Sequence, residues 1–262
     1  MIRSNQRRQI LKASASAVTL AIVLGTQNAA FAQATIYNGI PRDAIDYRAL
    51  DAKKPTDAPA GKIEVTEFFW FGCPHCNSLE PTLEAWLKKQ DKDVVFKRVH
   101  IYFDENRTGP HQKLFYALQT LGIVEKMVPA VFTAIHGERK NLLKRDEVMD
   151  WAKTQPLLNT PAFAAAYDSF STASEMRKAT KLQEDYKVDG VPYIAVGGKY
   201  VSSPSIAAGM AGGVTPVLDF LVAKVRKENG GVKTADKPEV KPKNAPAKPA
   251  TKPVSATPNP GY

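Results

Sequence analysis

Cysteine is nearly absent: the 262 residues hold two, Cys73 and Cys76, and histidine is almost as scarce, with four. That scarcity excludes chemistry. A structural zinc site takes about four ligands, and the sequence has no second cysteine pair. His100, His111 and His136 do not fall at the spacing of roughly three to five residues found in zinc fingers. A c-type haem needs a histidine directly after the second cysteine, and Asn77 stands there. A purely structural Cys73–Cys76 bridge would close so small a loop that it would hardly restrict the unfolded chain. Long apolar runs are also missing. The stretch from about Ala13 to Leu24 is interrupted by Ser and Thr and is short of the ~20 residues that span a bilayer. Acids are missing from residues 1–32, which carry Arg3, Arg7, Arg8 and Lys12, and are few in residues 233–262, where six lysines face Asp236 and Glu239. Each end therefore holds +4 of the net +10, leaving +2 for the body. No basic face on a folded domain follows, so nucleic acid is not an expected partner.

What remains is organised around Glu67-Phe-Phe-Trp-Phe-Gly-Cys73-Pro-His-Cys76. The aromatic residues before Gly72 read as the end of a buried strand. From Asn77, Leu79, Leu83, Trp86 and Leu87 recur at helical spacing. Pro74 suits a first helical turn, where its missing N–H has no partner to lose. Cys73 is thus expected at the junction, beside the first free amides of the helix. Those amides and the helix dipole favour an anion, hence a thiolate, the form that attacks disulfides. The pattern points to redox chemistry without a metal or other cofactor.

Residues 1–32 have the parts of an export signal: a basic start, the apolar stretch, and Ala30-Phe31-Ala32 as a small-x-small cleavage site. Gln6-Arg7-Arg8 fits a twin-arginine route as well as an ordinary Sec route. Either way the mature chain is expected outside the cytoplasm, where disulfides persist. Residues 33–61 read as a lead-in with an edge strand at 47–50. Residues 62–71 and 94–103 read as parallel strands joined by a helix in a right-handed crossover. The alternation sets Ile63, Val65, Glu67, Phe69 and Phe71 on one face, so Glu67 is an acid in an apolar row, with Lys97 or Arg98 as a candidate partner. Residues 104–187 read as an inserted helical subdomain, with stripes Leu114/Leu118/Leu121, Val148/Trp151/Ala152 and Phe163/Tyr167/Phe170. Thr160-Pro161 reads as a helix start, with Thr as the cap. His100, His111 and His136 read as structural or surface residues rather than ligands. A strand is expected at 191–196, then a two-residue Gly197-Gly198 hairpin into 199–201, and a last helix capped by Thr215-Pro216. From residue 229 lysine, proline and alanine dominate; seven prolines between Pro238 and Pro260 predict a disordered tail.

Cys73-Pro74-His75-Cys76 after Phe-Phe-Trp-Phe-Gly resembles the active site of the DsbA family of periplasmic thiol:disulfide oxidoreductases, and the resemblance covers roughly residues 36–227. It implies an α/β thioredoxin fold, formed by residues 62–103 and 188–228, with residues 104–187 inserted. It implies a redox-active Cys73–Cys76 disulfide donated to newly exported proteins, with Cys73 as the low-pKa sulfur, Cys76 as its buried partner, and Pro74 and His75 tuning the pair. By the same likeness Glu67 lies beneath the disulfide and influences its proton transfers. Val191-Pro192 is similar to the cis-proline that faces the cysteines and binds substrate. The expected partners are unfolded exported proteins with free cysteines and a DsbB-like, quinone-linked membrane protein as reoxidant; the expected state is a monomer in the periplasm. Two other readings stay open: a thioredoxin-like isomerase or reductase, for which no dimerisation domain fits before residue 60, and an exported peptide-binding chaperone with an incidental CxxC. Redox potential and dithiol-oxidation assays separate the three.

Overall fold

A computed structural model of the chain describes residues 36–230. The export signal expected in residues 1–32, and the tail beyond Gly230, lie outside the described residues.

β2 (Ile63–Phe69) and β3 (Val94–His100) pair in parallel, as the helix joining them requires. That helix, α1 (Pro74–Leu87), buries Cys76, Leu79, Glu80, Leu83 and Trp86. β4 (Tyr193–Val196) lies antiparallel on the other side of β2, and β5 (Tyr200–Ser202) pairs antiparallel with β4. The short β1 (Arg48–Ala49) closes the far edge, giving the order β1-β5-β4-β2-β3. α7 (Val214–Glu228) ends the fold and is tied to α1 by Trp86 Nε1–H donating to Asp219 at 2.7 Å. Between β3 and β4 come α2 (Thr108–Thr120), α3 (Val124–Phe132), a π-helical turn (Thr133–Gly137), α4 (Arg145–Lys153), α5 (Thr160–Tyr167) and α6 (Phe170–Asp185). The sheet and its flanking helices, βαβ followed by ββα, are the expected thioredoxin arrangement, with helices intervening.

All seven residues of β2 are buried, because helices cover both faces of this central strand and leave no polar side to alternate with. The row expected on one face is shared between two cores. Ile63 and Val65 pack with Leu79, Leu83, Trp86 and α7. Phe69 and Phe71 join the larger core with Phe115 and Phe132 of the intervening helices. Glu67 falls between the two halves of that row.

Several local expectations are corrected. β2 ends at Phe69, not at residue 71, because the next four residues form a turn closed by Cys73 N–H on the Trp70 carbonyl at 2.9 Å. β3 ends at His100, three residues before the expected end, and β4 begins at Tyr193, after Pro192. Val196 pairs with Tyr200, so the hairpin connection holds three residues, 197–199; Lys199 joins it because its N–H closes the turn on the Val196 carbonyl at 3.1 Å, while its own carbonyl accepts from Leu50 N–H at 2.8 Å. Both helix caps lie elsewhere. Asn159 caps α5 by accepting from Ala162 N–H at 3.0 Å, which leaves Thr160 in the first turn. α7 follows Gly213, with Thr215 already inside it. Phe170 leaves its stripe: it opens α6, is 79% exposed and lies under the Arg177 guanidinium.

Candidate active site

Cys73 occupies the N-cap position of α1, in extended backbone with φ −84° and ψ 117°, and Pro74 begins the helix. Its own side chain makes no cap hydrogen bond, yet the backbone N–H groups of His75 and Cys76 in the first turn favour its thiolate. Pro74 and His75 are exposed; Cys73 is 6% exposed and Cys76 fully buried, and both are free thiols. The two sulfurs are held at opposite extremes. The Cys76 thiol donates to the Cys73 sulfur and does most to lower its pKa, to about 6. Burial opposes that fall; the backbone N–H groups of Cys76 and His75, and last the His75 side chain, add to it. Cys76 moves the other way: burial drives its pKa far up, with the neighbouring Cys73 sulfur and the Glu67 charge adding to the rise.

Across from Cys73 stands the loop before β4. The Val191–Pro192 bond is cis, and the Cys73 thiol donates to the Val191 carbonyl at 3.5 Å. A groove of about 600 Å³ opens here, between His75, Ser78 and Leu79 of α1 and Val191, Pro192 and Ile206 of the facing loops.

Beneath the pair lies a buried charge cluster. Glu67 on β2 is register partner of Arg98 on β3, and Arg98 Nε approaches Glu67 Oε2 to 3.3 Å, within ion-pair range but without an aligned hydrogen bond. Arg98, not Lys97, is therefore the partner of Glu67; Lys97 pairs with Asp57. The same guanidinium donates to Glu80 at 2.9 Å and to Glu125, so one cation serves three carboxylates. Burial, then the Glu80 charge, outweighs Arg98 and pushes Glu67 up to about 8. Glu80 is raised as well, by burial first. Glu67 is thus biased toward its protonated form, close enough to Cys76 for its charge to be felt there.

The three remaining histidines converge on the turn before Cys73. His100 Nε2 accepts from Phe71 N–H at 3.2 Å while Nδ1 donates to Ile101 C=O at 3.0 Å. His111 Nδ1 accepts from the Trp70 indole at 3.0 Å, and Nε2 donates to Asn141 C=O at 2.7 Å. Those roles need neutral rings, and burial lowers both pKa values. His136 Nε2 donates to Phe71 C=O at 2.7 Å. The expectation that these residues are structural holds for their hydrogen bonds, but not for their place, which is the wall of the site.

A DSBA-like thioredoxin domain model matches residues 64–211. The thiol:disulfide interchange protein DsbA of Burkholderia cepacia is 44% identical over 208 residues, covering 79% of this chain and 95% of that protein. The chain belongs to the DsbA family. The DsbA of Bordetella pertussis is 41% identical over 75% of this chain and 90% of its own length. The crystal structure of Pseudomonas aeruginosa DsbA superposes with a TM-score of 0.66 at 35% identity, covering 72% of this chain and 96% of that one. As a DsbA-family member the chain has the thioredoxin-like fold and is a thiol:disulfide oxidoreductase that serves oxidative protein folding. Of the residues singled out in the sequence, His75, Val191 and Pro192 line the groove, Cys73 reaches its edge through Val191, Pro74 is exposed beside it, Cys76 is buried behind Cys73, and Glu67 acts on Cys76 from within the core. Glu80 and Glu125 were not foreseen. Glu80 had a signal: four residues after Cys76, it shares the buried face of α1. Glu125 arrives from a distant helix and had none.

Proposed function

We propose that Cys73 is the sulfur that exchanges with substrate and Cys76 the buried partner, and that the Cys73–Cys76 disulfide is donated to exported proteins with free cysteines. The carrying observation is the opposed placement of the two sulfurs, one lowered to about 6 beside the groove and the other raised and buried. A substrate thiolate attacks Cys73, the Cys73–Cys76 bond breaks, and Cys76 departs with the electron pair and takes a proton. A second substrate thiolate then attacks the substrate sulfur of the mixed disulfide, and Cys73 leaves as a thiolate. The substrate loses two electrons and the enzyme gains them. Glu67, raised toward its protonated form and close enough for its carboxylate charge to act on Cys76 once ionised, is the acid suited to supply that proton. Pro74 starts the helix whose amides hold the Cys73 thiolate, and His75 adds its charge at the groove mouth. Val191 and Pro192 line the substrate's path, where Pro192 offers no N–H to compete with an incoming strand.

The same reading assigns residues 62–103 and 188–228 to the thioredoxin-like domain and 104–187 to an inserted helical subdomain. It places a monomeric mature protein in the periplasm, reoxidised by a DsbB-like membrane protein. The test is oxidation of a reduced dithiol peptide, with the potential measured against glutathione. Wild type oxidises the peptide, Cys73→Ala is inactive, and Cys76→Ala accumulates mixed disulfides. A potential near the ~−270 mV of thioredoxin would instead make the protein a reductase.

A further inference from the structure

Gly72 is the point at which the active-site turn is free to change. The turn runs from Trp70 to Cys73 and is closed by Cys73 N–H on Trp70 C=O at 2.9 Å. A Cβ on Gly72 would collide with the Trp70 indole, which His111 holds in place. Glycine stands here to admit that ring, because its own φ is not among the positive ones. Negative φ at the third position is the type I form; the type II form needs positive φ there, which glycine adopts without steric cost. The two forms share the closing hydrogen bond and differ by a flip of the central peptide, here Phe71 C=O with Gly72 N–H. The peptide before it is tied by Phe71 N–H donating to His100 at 3.2 Å. The central peptide is tied by His136, whose Nε2–H donates to Phe71 C=O at 2.7 Å.

We propose that His136 is a positioning residue for disulfide exchange: it locks the Phe71–Gly72 peptide and so fixes the orientation of the turn that presents Cys73. The residue comes from the π-helical turn after α3, where Glu138 N–H reaches back to Thr133 C=O at 2.9 Å. Such wide turns are rare and recur at functional sites. Its ring packs on Phe132, which in turn packs on Phe71, so the donor is aimed by the core of the helical insertion. The lock therefore ties the insertion to the central peptide of the active-site turn, beside the bond by which His111 of α2 holds the Trp70 side chain. Nε2 donates in the neutral Nε2–H tautomer and in the imidazolium alike, so the lock does not depend on the charge of the ring. Without it the central peptide samples both orientations. A peptide dipole two residues from Cys73 then reverses, and the first-turn amides lose their fixed aim at the sulfur.

This inference rests on the assignment of Cys73 as the exchanging sulfur, and its test separates the two. His136→Phe keeps the ring packing and removes the donor; His136→Gln restores a donor at the place of Nε2. Thiolate absorbance against pH gives the Cys73 pKa, glutathione titration gives the exchange equilibrium, and amide line widths report the flip. The expected result for His136→Phe is a rise of roughly one unit in the Cys73 pKa, a matching shift of roughly tenfold in the equilibrium, and exchange broadening of the Gly72 and Cys73 amides. His136→Gln should restore all three. A His136→Phe protein that melts lower but keeps the wild-type Cys73 pKa and sharp amides overturns the lock and leaves His136 as packing. Should His136→Phe not fold, the wild-type ring decides: nitrogen shifts must show a proton on Nε2, and a neutral ring protonated on Nδ1 alone overturns the proposal. Activity retained by Cys73→Ala would overturn the underlying assignment instead, whatever His136 does.

Discussion

At Cys73 the forces on one sulfur are ordered. The hydrogen bond from the Cys76 thiol lowers its pKa most, the first-turn amides of Cys76 and His75 follow, and the exposed His75 side chain contributes least. That order makes a prediction that sequence alone does not: Cys76→Ala should raise the Cys73 pKa from about 6 by more than His75→Ala does. Thiolate absorbance of the two reduced variants measures it, and a larger rise in His75→Ala would show that the imidazole, not the neighbouring thiol, dominates. Glu67 carries a second residue-scale consequence. Its folded pKa of about 8 stands above the ordinary value of 4.5, so its stabilisation is full below the ordinary value and is lost as pH rises through about 8. Glu67→Gln, a neutral copy of the protonated acid, should remove that fall; unfolding in urea from pH 4.5 to 8.5 is the check. A variant as pH-dependent as the wild type would mean that the proton resides elsewhere in the cluster.

Between elements, Arg98 joins β3 to β2, α1 and α3 through Glu67, Glu80 and Glu125. Arg98→Met should cost about 3–5 kcal/mol at pH 7.5, since removing one partner of a buried pair leaves uncompensated charge. The loss should shrink toward pH 4, below the ordinary glutamate value of 4.5, where Glu67 and Glu80 are neutral in the folded chain without their cation and largely neutral in the unfolded one. Urea melts at the two pH values decide it; equal losses would assign the effect to packing. This cluster also marks the limit of sequence reading. The succession of elements along the chain, the helix after Cys73 and the return to β4 were legible from periodicity and from Gly and Pro placement. Glu67 stood out as an acid in an apolar row. The caps of α5 and α7 were misplaced by a residue or two, because Asn159 and Gly213 compete with adjacent threonines and only backbone conformation decides. The three histidines lie 11 to 36 residues apart, and their convergence on one turn depends on how the intervening helices pack over β3.

For the whole molecule, the lowered Cys73 pKa becomes a difference in stability between redox states. Unfolding releases the thiolate into water, where its pKa returns to ~8.5. With a folded value of about 6, the reduced protein binds fewer protons than its unfolded chain between those limits. Its stability therefore rises with pH across that window, is complete above the unfolded value, and is lost as pH falls through the folded one. At pH 7 the contribution is about 1.5 kcal/mol, equivalent to roughly 30 mV toward oxidising for a two-electron couple. The oxidised protein has no Cys73 thiolate to gain from, and its disulfide closes so short a loop that it constrains the unfolded chain little. The reduced form should accordingly be the more stable one, with a margin that widens from pH 6 to pH 8.5. Cys76, neutral when folded, ionises in the unfolded chain around the same ~8.5, so it works against that margin increasingly as pH nears 8.5 and flattens it there. Guanidinium unfolding of both forms at half-unit steps of pH measures the margin directly, and independent glutathione potentials must follow the same slope because the two quantities close one thermodynamic cycle. A margin that stays flat between pH 6 and 8.5 would mean that the Cys73 thiolate is not what drives electrons into this protein.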